Sequence, residues 1–334
     1  MNMKVLHLDP FKSLFDEGEE EKLSDLVPSQ IEVTELTADD EEKVLDKADQ
    51  YDAVIGSRIS EEFLEKAKNL EYYIIPFVGV PHSDKEKLRK YPDIKVINSH
   101  FNYWMVAEHA FTLLLSSAKK IVPIHDKMKD GDWTPRYEDE GWGKGLRDKK
   151  LLILGFGEIG KEIAKMGNAF NMEVNAVKRT PGKSELVNKL RTNEDLHELL
   201  SEADFIVSTL PETDETRGYL SFEEFEQMKK GVHIVNIGRG PVIDEEALYE
   251  ALKSGKVEGA GIDVWWNYPP DEESRTDTFP SDYPLDEFDN VIFSPHRATQ
   301  IQERGRYRIR NLAEILESLA NGEEVNLVDI EKGY

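Results

Sequence analysis

Three glycines, Gly155, Gly157 and Gly160, stand in G-x-G-x-x-G spacing within LLILGFGEIGKEIAKMG. They follow an apolar strand pattern and open a helical one, the setting in which this spacing cradles a dinucleotide pyrophosphate. Gly155 permits the tight turn, Gly157 lets phosphates approach the backbone, and Gly160 lets the helix pack on the strand. The helix start then offers free N–H groups to the anion. A turn with convenient glycines is the bland alternative, and the strand–turn–helix context speaks against it. Eighteen residues after Gly160, where an acid would bind ribose hydroxyls, come Lys178, Arg179 and Thr180. Two cations and a hydroxyl suit a 2′-phosphate, so NADP(H) is favoured over NAD(H). As ordinary surface cations at a strand end, they would say nothing about the cofactor.

Two other residues suit acid–base and anion chemistry. Arg239, in NIGRG at the C-terminal end of a predicted strand, offers a planar fork to carboxylate and carbonyl oxygens. His296, in SPHRAT, ends the last predicted sheet strand, and its ordinary pKa near neutrality suits a proton donor. Alone, His296 reads as an ordinary histidine. Paired with Arg239 it fits hydride transfer between a nicotinamide and a 2-keto acid, which needs a proton for the new alkoxide and a cation for the carboxylate.

Positioning these residues requires a regular frame, and the pattern supplies one. Strand signals KVLHLD, IEVTEL, AVIGS, YYIIPFV and KVIN make a small α/β unit over roughly residues 1–100. Ser60 is a candidate N-cap for the helix that follows it. YWMVAEHAFTLLLSSAKKIV is apolar on most faces and reads as a buried helix, followed by a polar loop over 126–147. Strands resume at KLLILGFG, EVNAVK, FIVSTL, GVHIVNIG, GAGIDVW and NVIFSP. Strict β/α alternation implies parallel sheets covered on both faces. A final helix ends at Gly322 in a good C-cap position.

Composition narrows the function classes. The 334 residues suit about two domains. With no cysteine, disulfides, thiolate metal sites and cysteine nucleophiles are excluded. A net charge of −25 repels phosphate backbones and anionic lipid, so nucleic acid and membrane are not expected partners. No His-rich spacing suggests a metal. The start, MNMKVLHLDPF, lacks a signal peptide's long apolar stretch, which makes a cytoplasmic location the expectation.

GFGEIG, LPETDETRGYL, MKKGVHIVNIGRGPVIDEEALYEALKSGKVEGAGIDVW and SPHRAT together resemble the D-2-hydroxyacid dehydrogenase family in order and spacing, and VGVPHSD and AEHAFTLLL match its earlier landmarks. The chain is similar to the glyoxylate and hydroxypyruvate reductase branch. The resemblance implies an α/β fold of two Rossmann- or flavodoxin-like domains, each a doubly wound parallel sheet, with a cleft between them. Residues 1–100 and 299–334 would form the substrate-binding domain, and 101–298 the NAD(P)-binding domain. It implies cofactor contacts at Gly155, Gly157, Glu158, Ile159, Gly160, Leu210, Pro211, Thr216, Ile237, Gly238 and Asp263, beside Lys178, Arg179 and Thr180. Val78, Gly79 and Val80 match the loop whose N–H groups hold the substrate carboxylate, although each singly reads as a turn after a strand. Members are usually homodimers, and the Trp133–Trp142 region would meet the partner subunit.

One position departs from the family. Five residues after Asp263, where the resemblance expects a glutamate bonded to the histidine, stands Tyr268. A carboxylate stabilises imidazolium, whereas a phenol stays neutral and only hydrogen-bonds. Three readings follow: Tyr268 orients a histidine that titrates nearer its unperturbed value; Asp271, Glu272 or Glu273 reaches back; or the site is weakened. The expected function is an NADP(H)-preferring reduction of small 2-keto acids. The alternatives are a nucleotide-binding sensor resembling the family's corepressors, and oxidation of a one-carbon or phosphite substrate. His109 reads as a satisfied core histidine, and RGRYRIR (304–310) as a solvated helix face or a salt-bridged dimer contact.

Overall fold

The computed structural model describes residues 3–9 and 21–330. Of the N-terminal stretch, Met1, Asn2, Pro10 and Phe11 lie outside the described residues. In chain order the elements are β1 (Met3–Asp9), α1 (Leu23–Leu26), β2 (Ile31–Thr37), β3 (Ala53–Ile55), α2 (Glu61–Lys66), β4 (Tyr72–Ile75), α3 (His82–Leu88) and β5 (Lys95–Asn98). There follow α4 (Tyr103–Ala118), α5 (Ile121–Lys129), β6 (Lys150–Leu154), α6 (Glu158–Ala169), β7 (Glu173–Val177), β8 (Lys189–Arg191), α7 (Leu196–Glu202) and β9 (Phe205–Ser208). Then come α8 (Phe222–Gln227), β10 (Val232–Asn236), α9 (Glu245–Lys253), β11 (Val257–Ile262), β12 (Val291–Phe293) and α10 (Arg304–Ala320). Contacts divide the chain into two compact units, Met1–Asn102 with Gln300–Tyr334, and Tyr103–Thr299.

The first unit carries a five-stranded parallel sheet in the order β2-β1-β3-β4-β5. Alternation along β1 explains why it is covered twice. Met3 and Val5 enter one core with Leu312, Ile315 and Leu316 of α10, while Leu6 and Leu8 enter the other with Phe63 and Leu64 of α2. Ser60 caps α2, its hydroxyl accepting the Phe63 N–H at 3.0 Å. Gly322 follows α10 at φ +81°, the left-handed geometry that ends a helix cheaply only at glycine.

The second unit carries a seven-stranded parallel sheet in the order β12-β11-β10-β9-β6-β7-β8. Leu152 and Leu154 of β6 face one core, and Leu151 and Ile153 the other, where α4 contributes Ala107, Ala110, Phe111 and Leu114. Truncating one of these leucines to alanine would cost about 2–5 kcal/mol. From β6 the chain steps to β7 and β8 on one side, then returns to β9 on the other. The order reverses at β6/β9, and in open α/β sheets such a switch point is where ligands bind, beyond the strands' C-terminal ends.

Three local readings of the sequence are corrected. β8 is a strand that the pattern did not announce, a three-residue edge of Lys, Leu and Arg. The loop expected from residue 126 begins later, because α5 runs on to Lys129. Arg308 is 1% exposed, so the 304–310 stretch is not simply a solvated face, although Arg310 does clasp Glu21 at 2.6 and 2.8 Å. Among the described residues, no helix is long and apolar enough to cross a membrane, and no cluster of His, Cys, Asp or Glu could hold a metal ion.

Candidate active site

At the C-terminal end of β6, Gly155 adopts φ +92°, and a Cβ there would meet Thr209 Oγ1 at 2.6 Å. Gly157 is the N-cap of α6, and a Cβ on it would point into open space, with nothing within 4 Å. A Cβ on Gly160 would instead strike the Gly155 carbonyl at 2.3 Å. The turn is thus tight beneath and open above, with Glu158, Ile159 and Gly160 forming the first helical turn. Its shape fits a pyrophosphate received by the N–H groups of a 12-residue helix. At the end of β7, the Lys178 N–H is bound by Arg191 O at 3.0 Å, and Arg179 and Thr180 are exposed beyond it.

Across the switch point, the β9 and β10 loops nearly touch. A Cβ on Gly238 would lie 2.3 Å from Leu210 O, so only glycine admits this approach. Leu210 and Pro211 begin the β9 loop, and Thr216 closes it, its hydroxyl donating to Pro211 O at 2.6 Å. That hydroxyl also accepts the Thr213 N–H at 2.8 Å, so it serves the loop's own shape. Ile237 is buried, and Arg239 next to Gly238 is exposed, with Nη1 donating to Gly238 O at 2.7 Å. The buried amide of Asn236, which the sequence reading passed over, holds this bend. It donates to Arg239 O at 3.0 Å and accepts from Gly238 N–H at 3.2 Å.

The ends of β10, β11 and β12 bring the acid–base candidates together. A Cβ on Gly240 would reach 2.2 Å from Trp265 O, so the loop carrying Arg239 lies against the one carrying Trp265. The Trp265 N–H donates to Tyr268 Oη at 3.2 Å, and Tyr268 Oη lies 2.9 Å from His296 Nδ1. A phenol oxygen that already accepts from Trp265 can donate its own proton to a neutral ring, or accept a second N–H from a protonated one. Asp271 accepts from Ser274 N–H at 2.9 Å, and Glu272 pairs with Arg275 at 2.8 Å. Those two acids serve their own turn.

Asp263 is 1% exposed and faces the His296 segment. Its carboxylate accepts the Ser294 hydroxyl at 2.5 Å, the Arg297 N–H at 2.9 Å and the Ala298 N–H at 3.2 Å. Burial alone would raise its pKa, but bonds from His109, Ser294 and Arg297 outweigh that and hold it below the ordinary carboxylate range. Trp265 stacks on Phe293 at 4.8 Å, and its Nε1 donates to Ser294 O at 2.8 Å; Trp266 Nε1 bonds Ile243 O at 2.9 Å.

The electrostatics displace one expectation. Although His296 is exposed, partial desolvation of its ring and then the Arg239 charge push its pKa below the ordinary value, with Asp263 opposing. That direction places the histidine below the unperturbed value from which the first reading of Tyr268 started. Partial desolvation of the half-exposed Tyr268 ring raises its pKa, against smaller opposing effects of the Trp265 N–H and Arg239, which keeps it a neutral phenol. Elsewhere, Trp133 and Trp142 are 58% and 68% exposed. In the first unit, the Val78–Val80 turn follows β4, with the Val78 carbonyl held by Asn98 Nδ2 at 2.6 Å.

Comparison with known proteins identifies the family. Residues 111–298 match the family described as D-isomer specific 2-hydroxyacid dehydrogenase, NAD binding domain. A hydroxypyruvate reductase from Thermotoga maritima is 34% identical over 280 residues, 83% of this chain and 87% of that protein. A D-3-phosphoglycerate dehydrogenase from Archaeoglobus fulgidus is 32% identical over 98% of this chain, which spans only 60% of that relative's length. Among solved structures, an acyclic imino acid reductase in complex with NADPH and D-Arg superposes with a TM-score of 0.76 at 25% identity, covering 98% of this chain and 100% of the other.

Proposed function

The chain belongs to the D-isomer specific 2-hydroxyacid dehydrogenase family, nicotinamide-dependent oxidoreductases, and from that premise we propose that it is an NADP(H)-preferring reductase of small 2-keto acids such as glyoxylate or hydroxypyruvate, yielding the D-2-hydroxy acid. One observation carries the reading: the Gly155–Gly160 turn, Arg239 and His296 all lie at the C-terminal ends of strands in one parallel sheet. Lys178, Arg179 and Thr180 would hold a 2′-phosphate, and the NADPH in the imino acid reductase structure supports that choice.

When bound, the nicotinamide supplies or takes the hydride. The chain's own share is charge and a proton. Arg239 receives the carboxylate and carbonyl oxygens of the substrate. His296 gives its Nε2 proton to the carbonyl oxygen, the new O–H bond forming as the N–H bond breaks. Its Nδ1–H is held meanwhile by Tyr268 Oη, which is built to accept it. In the first unit, Val78, Gly79 and Val80 are assigned to the carboxylate. The same reading makes the protein a cytoplasmic homodimer, with exposed Trp133, Tyr137 and Trp142 as its contact segment. Sedimentation at a mass no greater than the single chain's 38.3 kDa would remove that part.

A lowered His296 pKa also favours a second reading. A ring that is neutral at pH 7 is ready to accept a proton, as oxidation of a hydroxy acid, a one-carbon substrate or phosphite would require. Initial rates with NADPH and NADH on glyoxylate, hydroxypyruvate, pyruvate and phenylpyruvate, and with NADP+ on glycolate, formate and phosphite, separate the two. Cofactor binding without turnover on any of these would leave a nucleotide-binding sensor instead.

A further inference from the structure

His296 sits at φ +51°, a left-handed backbone geometry that is strained for a non-glycine residue. Something must hold it there, and the bonds around it identify what does. Ser294, two residues earlier, is 5% exposed, and its carbonyl accepts both the His296 N–H at 3.0 Å and Trp265 Nε1–H at 2.8 Å. On the other flank, Asp263 accepts the N–H groups of Arg297 and Ala298. The Ser294 hydroxyl joins the two flanks by donating its single proton to Asp263 Oδ1 at 2.5 Å.

A third partner completes this arrangement from the helix behind it. His109 Nε2 lies 2.8 Å from Ser294 Oγ and 3.3 Å from Asp263 Oδ1. The serine proton is already committed to Asp263, so the bond with His109 must run from Nε2–H to Oγ. An isolated core histidine would need only one partner for its proton. This one feeds a chain that ends on both sides of His296, from a helix whose neighbouring Ala107, Ala110 and Phe111 are buried and apolar.

We infer that His109 is a positioning residue, which holds His296 in its working orientation through Ser294 and Asp263. The inference rests on the proposed role of His296 as proton donor. Misplacement of a reacting group by about 1 Å costs on the order of 100-fold in rate, so removing the Nε2–H should act on turnover rather than on binding.

The test uses the full chain with NADPH and the best keto acid of the panel. His109→Phe should lower kcat about 10- to 100-fold while KM and the NADPH Kd stay within about two-fold. His109→Gln, whose amide N–H can still reach Ser294 Oγ, should restore most of the loss. Ser294→Ala should reproduce the loss, and the double variant should be no worse than either single, as for links in one chain. Long-range proton–nitrogen spectra of histidine-labelled protein supply a readout free of turnover. The His296 ring should give one set of signals in the wild type and broadened or doubled signals in His109→Phe. An unchanged kcat in His109→Phe, or equal losses of kcat and NADPH binding with no recovery in the glutamine variant, would overturn the inference. If His109→Phe does not fold, Ser294→Ala breaks the same link from the other end and decides. A wild type that reduces no keto acid would defeat the proposed function alone, and the spectra would still decide the positioning role.

Discussion

Tyr268 Oη lies 2.9 Å from His296 Nδ1 while it accepts the backbone N–H of Trp265 at 3.2 Å, so a neutral phenol orients this histidine. It steadies the ring in either protonation state but gives the imidazolium no opposite charge. With partial desolvation and Arg239 also acting against the charged ring, the histidine's pKa lies below its ordinary value.

Reduction needs the protonated ring, so kcat/KM for a keto acid should fall as pH rises through a value below about 6.5. Tyr268→Glu would place a carboxylate beside Nδ1 and should move that limb upward by about 1–2 pH units. Tyr268→Phe should lower kcat without such a shift. A pH–rate profile of the glutamate variant that overlays the wild type would count against the assignment of His296 as the acid.

The second and third glycines of the phosphate turn should separate folding from binding. Gly160→Ala sets a Cβ against the Gly155 carbonyl and should destabilise the protein by about 1–3 kcal/mol. Gly157→Ala meets nothing in the protein and loses only some N-cap preference, so it should destabilise less than Gly160→Ala, while the NADPH Kd rises about ten-fold or more where a methyl displaces phosphate. Equal NADPH affinity in Gly157→Ala would argue against a dinucleotide at this turn.

Cofactor choice should depend on the end of β7. Lys178→Gln and Arg179→Gln should each raise KM for NADPH about ten-fold, with KM for NADH changed less than about two-fold. Parallel changes for both cofactors would remove the 2′-phosphate role from these cations.

His233, 3% exposed on β10 and bonded through Nδ1 to Ser117 Oγ at 2.9 Å, predicts an acid-side weakness of the fold. Burial, then Lys144, lowers its pKa to about 4, with Glu258 opposing. The unfolded chain binds this proton near pH 6.5 and the native chain does not, so stability is full above that value and is lost as pH falls towards 4. The separation amounts to about 3 kcal/mol. Urea unfolding at pH 7.5 and 4.5 should show the loss in the wild type and a smaller one in His233→Phe. An identical loss in both would assign it to other groups.

Much of the sheet frame could be read in the chain because strands such as β6 and β10 are apolar on both faces and recur between helix-length segments. β8 escaped notice because three residues, two of them cationic, form a strand only through pairing with β7. The phosphate turn was legible because its chemistry is local, carried by three glycines within six residues. The surroundings of His296 were not. His109 and Ser294 meet across 185 residues, and a histidine in an apolar helix looks the same whether it faces a core or a serine hydroxyl. Tyr268 stood out by its position, yet its bond to Trp265 N–H depends on a bend after β11 that no residue pattern announces. Nor does charge reveal that Arg308 is buried while Arg310 reaches outward to Glu21.

The strand order has a consequence for how this protein could be altered. Everything assigned to the nucleotide's phosphates follows β6 and β7, whereas Arg239, Asp263, Tyr268 and His296 follow β10, β11 and β12, with β9 standing between the groups. No hydrogen bond described above joins the two sets. Changes of cofactor preference and changes of proton chemistry should therefore combine additively in free energy, so that each property can drift, or be redesigned, while the other keeps its setting.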